Sequence, residues 1–203
     1  MHFVFKTSKQ EIHDLIQAWI LLSLAFAILL SGGAFFSSIM ITKFILAALT
    51  VGVGFLFHEL AHKVMAQRYG CFAEFRASIQ MLVLAIIMSF FGFLFAAPGA
   101  VIISGHVSKS QYGKIAVAGP IMNLIIVAIF GILLLVANYF SIAVLQSISS
   151  YGIWVNAFLA FFNMMPFFVL DGKKVLQWSK KIYVAVIIPT AVVLFLAAMY
   201  IEV

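Results

Sequence analysis

Apolar residues occur along this chain in long blocks separated by short polar or glycine- and proline-containing segments. About 20 consecutive apolar residues suffice for a helix to cross the hydrocarbon core of a bilayer. Six blocks stand out, at residues 15–30, 39–69, 79–104, 115–140, 151–162 and 182–201. The pattern therefore predicts an all-α, multi-spanning membrane protein with about six membrane segments.

Signals at the block ends refine these helices. Ser8-Lys9-Gln10-Glu11 fits a capping box, which predicts that the first helix begins near Lys9. Gly70 follows the second block as a candidate C-cap. We expect residues 138–150 to form a loop, and residues 163–172 to be irregular because they contain a proline.

The third block is expected to be re-entrant. Cytoplasmic loops of membrane proteins carry an excess of Lys and Arg. Three basic clusters fall on one side only if the third block returns to the face by which it enters. Its helical half would then end near Ala97, and residues 98–104 would lead back as a short β element. The clusters are Lys63, Arg68 and Arg76; Lys109 and Lys114; and Lys173, Lys174, Lys180 and Lys181.

Composition supports a membrane location and argues against a soluble domain, a nucleic-acid partner and an internal disulfide. The chain is 66% hydrophobic and 9% charged, whereas soluble domains carry about 25% charged residues. The net charge of +6 is explained by basic cytoplasmic loops and does not indicate a nucleic-acid partner. The single cysteine, Cys71, excludes an internal disulfide. We expect one integral membrane domain over residues 1–203, and nothing in the sequence predicts an oligomer.

The second block contains HELAH at residues 58–62, toward its end. His58 and His62 are four residues apart, so on a helix both project from one face and can share a zinc ion. Glu59 lies beside the first ligand, where it can act as general base toward water. Ionisable groups within a spanning helix are costly and are functional by default.

A third ligand has few candidates. Asp171 lies among apolar residues and is followed by Gly172, in a setting that tolerates a carboxylate only if it is paired or binds metal. Glu74 lies in a short charged segment with Arg76 and is expected to be solvent-exposed. Glu202 lies at the chain end. His106, in a predicted loop, is the rival ligand. His58 and Asp171 each lie just before a basic cluster, which predicts one depth for both, near the cytoplasmic face.

Three motifs resemble the site-2 protease family of intramembrane zinc metalloproteases. They are HELAH, the AVAGPIMN segment at residues 116–123, and NMMPFFVLDG at residues 163–172, in the family's order. The resemblance covers about residues 44–178. It implies one zinc ion held by His58, His62 and Asp171, Glu59 as general base, and hydrolysis of peptide bonds in transmembrane substrates within or near the cell membrane.

The resemblance also implies roles at the edge of the site. Asn163 would bind the substrate carbonyl or the oxyanion, or would alternatively cap a helix end. Asn123 fits a hydrogen bond between packed helices better than catalysis. The segment around Pro98, Gly99 and Ala100 stands where family members carry an edge strand that could pair with substrate. The chain departs from the family's DGG-R continuation, because Lys173 and Lys174 follow Gly172.

Two other functions are compatible with the same residues. A membrane metal transporter would use His and Asp side chains as a transit site, although the scarcity of further intramembrane ionisable groups makes this the weaker interpretation. A catalytically inactive scaffold homologue is the other, and the intact set of His58, Glu59, His62 and Asp171 argues against it.

Overall fold

A computed structural model of the chain describes residues 5–33, 38–94 and 98–200. Over these ranges the protein is mainly helical, with one small two-stranded sheet. In chain order the elements are α1 (Lys9–Leu30), α2 (Ser38–Ala47), a π-helical turn (Ala48–Gly52), α3 (Val53–Arg68), β1 (Phe72–Ala77), α4 (Ile79–Ser89), β2 (Gly99–Ser104), α5 (Lys109–Tyr139), α6 (Ala143–Asn163), α7 (Asp171–Trp178) and α8 (Lys180–Tyr200).

Five helical stretches in the described part of the chain are long and apolar enough to cross a membrane. They are α1, the continuous stretch Ile39–Arg68, α5, α6 and the stretch Lys180–Met199 of α8. The helix that the structure describes in the third apolar block is α4. Its 11 residues would span about 16 Å at 1.5 Å per residue. That is about half of a bilayer's hydrocarbon core. The predicted mainly helical architecture is confirmed, five of the predicted segments are candidate spans by length and composition, and the expected sixth segment is too short to be one.

The strand that precedes the third block pairs with the strand that ends it. β1 and β2 pair antiparallel, from Phe72 opposite Ser104 to Ala77 opposite Gly99, and α4 lies between them in the chain. The predicted β element is therefore present at residues 99–104. α4 ends well before Ala97, which lies outside the described residues. Gly92 follows the helix with a φ of +82°, a left-handed conformation that favours glycine and stops a helix.

The outer edge of β1 is closed by carboxylates of α1. The Glu11 carboxylate accepts a hydrogen bond from the Phe75 backbone N–H at 3.0 Å, and Asp14 accepts one from the Ala77 N–H at 3.4 Å. Glu11 also forms an ion pair with Lys63, and both side chains are fully buried. Lys63, expected from the sequence to belong to a basic cluster at the cytoplasmic face, is therefore not a solvated cation, because it lies inside α3 with a buried partner.

The other helix ends agree in part with the sequence signals. Ser8 caps α1 by accepting from the Glu11 N–H, and Gly70 takes a φ of +78° after α3. Of the segment 163–172 that was expected to be irregular, residues 164–170 lie outside the helices, whereas Asn163 ends α6 and Asp171 and Gly172 begin α7. The expected loop at 138–150 is wrong except at residues 140–142, because α5 continues to Tyr139 and α6 begins at Ala143. Its polar residues suit a helix, since Ser147 donates to the Ala143 carbonyl at 3.2 Å.

Candidate metal centre

α3 brings two histidines to one buried face. His58 and His62 are 5% and 8% exposed, and their ring centroids lie 4.7 Å apart. Their Nε2 atoms are 3.0 Å apart. The spacing of four residues thus places both imidazoles on one side of the helix, as the sequence predicts.

Asp171 reaches the same point from the first residue of α7. Its Oδ2 atom lies 3.4 Å from Nε2 of His58 and 3.0 Å from Nε2 of His62. The neighbouring Gly172 makes this approach feasible, because a Cβ atom there would stand 2.0 Å from the carbonyl oxygen of Met164. Any other residue at 172 would force the start of α7 and the backbone at Met164 to move apart.

The three side chains fit a tetrahedral metal ion. Zn–N and Zn–O bonds of about 2.0–2.1 Å separate adjacent ligand atoms by about 3.3 Å in a tetrahedron. The separations of 3.0, 3.0 and 3.4 Å among the two Nε2 atoms and Oδ2 agree with that value. Within the described residues, His58, His62 and Asp171 form the group of three or more His, Cys, Asp or Glu side chains that could hold a metal ion.

Helix α5 supplies a partner for the other nitrogen of each ring. Nδ1 of His58 lies 2.5 Å from Oδ1 of Asn123, and Nδ1 of His62 lies 2.8 Å from the Ile115 carbonyl oxygen. When Nδ1 donates its hydrogen to an oxygen, Nε2 of a neutral imidazole keeps a lone pair. Two lone pairs and a carboxylate oxygen then converge at one point. Three such electron-rich atoms facing one another are suited to binding a cation.

Gly119 of α5 leaves the convergence point open. A Cβ atom on this residue would lie 2.5 Å from Nε2 of His58 and 2.5 Å from Nε2 of His62. The glycine therefore lets α5 pass close to the site without filling it.

Lys174 holds the second oxygen of Asp171. Its Nζ atom lies 3.0 Å from Oδ1 of Asp171 and 5.7 Å from the ring centre of Tyr112. Burial works against the charged form of Lys174, but the Asp171 carboxylate outweighs it, so the pKa of Lys174 lies above its ordinary value. The lysine therefore occupies Oδ1 and leaves Oδ2 to face the histidines.

A cavity of about 680 Å³ opens beside these residues. Glu59 lines it together with the histidines, so the predicted base stands next to the predicted ligands. Asn163 also lines the cavity, although its amide donates to the Leu159 carbonyl at 2.9 Å, as in a helix end. Apolar residues of α1, α3, β2 and α6 form much of the remaining wall, including Leu22, Phe26, Phe55, Val101, Ile103 and Phe158.

The remaining candidates from the sequence lie elsewhere. Glu74 is 8% exposed and ion-paired with Arg76, so its interpretation as a solvated face is wrong. His106 is exposed in the loop between β2 and α5. Glu202 lies outside the described residues. Sequence reasoning missed the contact of Lys174 with Asp171, for which a spacing of three residues on one helix was the available signal.

Comparison with known proteins gives one significant relative. The chain is 39% identical over 188 residues to the protein named "Putative zinc metalloprotease" of Methanocaldococcus jannaschii, an alignment that covers 92% of this chain and 93% of the relative. No family model matches the chain. No solved structure matches it at a significant level.

Proposed function

We propose that this chain, which belongs to the zinc metalloprotease family of its Methanocaldococcus jannaschii relative, is an intramembrane endopeptidase of the site-2 protease type. Its substrates would be transmembrane proteins, cut within or near the membrane. The observation that carries this proposal is the convergence of His58, His62 and Asp171 beside Glu59 in a single cavity.

The residues of the site divide the chemistry among them. A zinc ion held by His58, His62 and Asp171 would act as a Lewis acid on the scissile carbonyl and lower the pKa of a water molecule. Glu59 then accepts the proton of the attacking water and passes it to the leaving amine. Asn163, on the wall of the same cavity, would donate to the substrate carbonyl once its amide leaves the Leu159 carbonyl.

The basic clusters support a site that opens to the cytoplasmic face of the cell membrane. Lys173 and Lys174 lie within three residues of Asp171, and basic residues are retained on the cytoplasmic side. Water can reach a site at such a shallow depth. In this arrangement α4 and the two strands enter and leave the membrane by the same face, since Ala77 and Gly99 are paired.

The free edge of β2 is suited to hold the substrate as an extended strand. Phe75 and Ala77 direct their N–H groups away from β2, toward α1. Their antiparallel partners Val101 and Gly99 therefore direct their own N–H and C=O groups away from β1. Both residues line the cavity, so a peptide paired there by strand addition would lie next to Glu59. Pro98 and Ala100, which flank Gly99, line the same cavity.

A helical substrate must unwind before it can pair in this way, because each peptide bond inside a helix is already hydrogen-bonded. Substrates with Gly or Pro near the scissile bond should therefore be cut faster than matched substrates with Leu at those positions.

The proposal is tested by co-reconstituting the purified chain with single-span membrane proteins. We expect cleavage that a zinc chelator abolishes and added zinc restores. Glu59→Gln should abolish cleavage while retaining bound zinc, and His58→Ala should lose both. His106→Gln, which changes an exposed histidine, serves as the control and should cleave normally. Undiminished cleavage by Glu59→Gln would contradict the assigned role.

Metal flux into vesicles separates this function from transport. A transporter needs a series of sites along its path, and the described residues contain one group of three or more ligands. We therefore expect no zinc flux above that of protein-free vesicles.

A further inference from the structure

The orientation of His58 depends on how the amide of Asn123 is turned. Nδ1 of His58 can donate to Asn123 only if Asn123 presents its oxygen rather than its NH₂ group. The two ends of an amide have nearly the same shape, so the choice between them is made by the groups on the far side of Asn123.

Those groups permit one orientation of Asn123. Its other amide end lies 3.3 Å from the Gly54 carbonyl oxygen and 3.0 Å from the side chain of Asn156. A backbone carbonyl can only accept, so the end of Asn123 that faces Gly54 is the NH₂ group. Both asparagines are fully buried, and an unpaired amide there would be costly.

Asn156 is fixed in turn by two more backbone carbonyls. Its Nδ2 atom lies 2.9 Å from the Gly152 oxygen and 3.5 Å from the Thr50 oxygen. Its NH₂ group therefore faces these carbonyls, and its oxygen faces Asn123. Thr50 belongs to the π-helical turn that precedes α3, so this contact connects α6 with the helix that carries both histidines.

Gly54 allows this hydrogen-bonded chain to pass between the helices. A Cβ atom at this position would lie 2.1 Å from Oδ1 of Asn156. The glycine thus brings α3 and α6 close enough for Asn156 to reach Asn123.

We propose that Asn156 is a positioning residue of the metal centre. It donates to the Thr50 and Gly152 carbonyls and accepts from Asn123, which in turn accepts from Nδ1–H of His58. These hydrogen bonds leave the lone pair of His58 Nε2 directed at the point that it shares with His62 and Asp171. Asn156 itself touches none of these three residues. The inference rests on the proposed metal site of His58, His62 and Asp171.

Zinc affinity is the first test. Purified Asn156→Leu should bind zinc about 10- to 100-fold more weakly than the native chain in competition with a chelator, the range found for groups that orient metal ligands. Asn123→Leu should show a similar loss. The double variant should lose little more than Asn123→Leu alone, because both residues act through one chain of bonds. Additive losses, or native affinity in Asn156→Leu, would overturn the inference.

Controls separate positioning from general damage. Ser149→Ala removes another fully buried polar group of α6 and should leave zinc affinity unchanged. Asn156→Ala removes the same amide without added bulk and takes the place of Asn156→Leu if the leucine variant does not fold. Circular dichroism and a thermal melt establish that each variant is folded.

The second test reads the histidine directly. In metal-free protein with ¹⁵N-labelled histidine, NMR should show His58 protonated at Nδ1, and this preference should weaken in Asn156→Ala. His62 should keep its Nδ1 proton, because it donates to the Ile115 carbonyl. An unchanged His58 signal would overturn the inference. A native chain that binds no zinc would refute the proposed function, and the NMR result would still decide the role of Asn156.

Discussion

Gly119→Ala should strongly weaken metal binding while preserving the helical fold. The added methyl carbon would lie 2.5 Å from Nε2 of both His58 and His62, about 1 Å inside an ordinary non-bonded contact. If the methyl stays, it occupies the point where the lone pairs converge. If α5 instead moves away by about 1 Å, Asn123 and Ile115 lose their hydrogen bonds to the two rings.

Either response weakens zinc binding, and we expect a loss of at least about 100-fold, which corresponds to about 2.7 kcal/mol. Chelator competition on the detergent-purified chain measures this loss, and cleavage of a reconstituted substrate should fall with zinc occupancy. Gly131→Ala is the matched control on the same helix, because a Cβ atom at Gly131 has nothing within 4 Å. Zinc binding by Gly119→Ala at native affinity would refute the proposed position of the metal.

Two further substitutions test the buried charges. Lys63→Met leaves Glu11 buried without its cation, and we expect a loss of about 3–5 kcal/mol in the free energy of unfolding, measured by denaturant titration in micelles. Glu11→Gln combined with Lys63→Met removes both charges, keeps an acceptor for the Phe75 N–H and should recover part of that loss, and an equal loss in both variants would contradict the pairing. Lys174→Met frees one oxygen of Asp171 and should weaken zinc binding about 10-fold, whereas Asp171→Ala should weaken it more. Equal affinities of the native chain and Lys174→Met in chelator competition would exclude that role.

Much of the site could be predicted because its signals are local. The spacing of His58 and His62 places two ligands on a helix face without any knowledge of the fold. Asp171 could be found by elimination, because few carboxylates exist and its apolar surroundings are unsuited to an isolated charge. Helices α1 and α8 could be predicted from apolar length alone.

The contacts that could not be predicted join positions far apart in the chain. By sequence, Lys63 belongs to a basic cluster at the expected cytoplasmic face. Its burial depends on Glu11, more than 50 residues away. Asn156 is one polar residue in an apolar helix, and nothing near it in sequence indicates Asn123 or Thr50 as a partner. The start of α6 was missed because Ser and Gln are typical of loops, although both have ordinary helix propensities and Ser147 donates to the Ala143 carbonyl within the helix.

The closed outer edge of β1 also limits how copies of the chain can associate. An exposed strand edge offers unpaired N–H and C=O groups to other molecules and is a common route to unwanted aggregation. Here the Phe75 N–H is already bonded to a carboxylate that is itself paired with Lys63. A strand arriving at β1 would have to separate a fully buried ion pair before it gained that hydrogen bond. Within the described residues, the β2 edge beside Glu59 is therefore the one left for a further strand, and under the proposed function a strand paired there would be cleaved rather than polymerised.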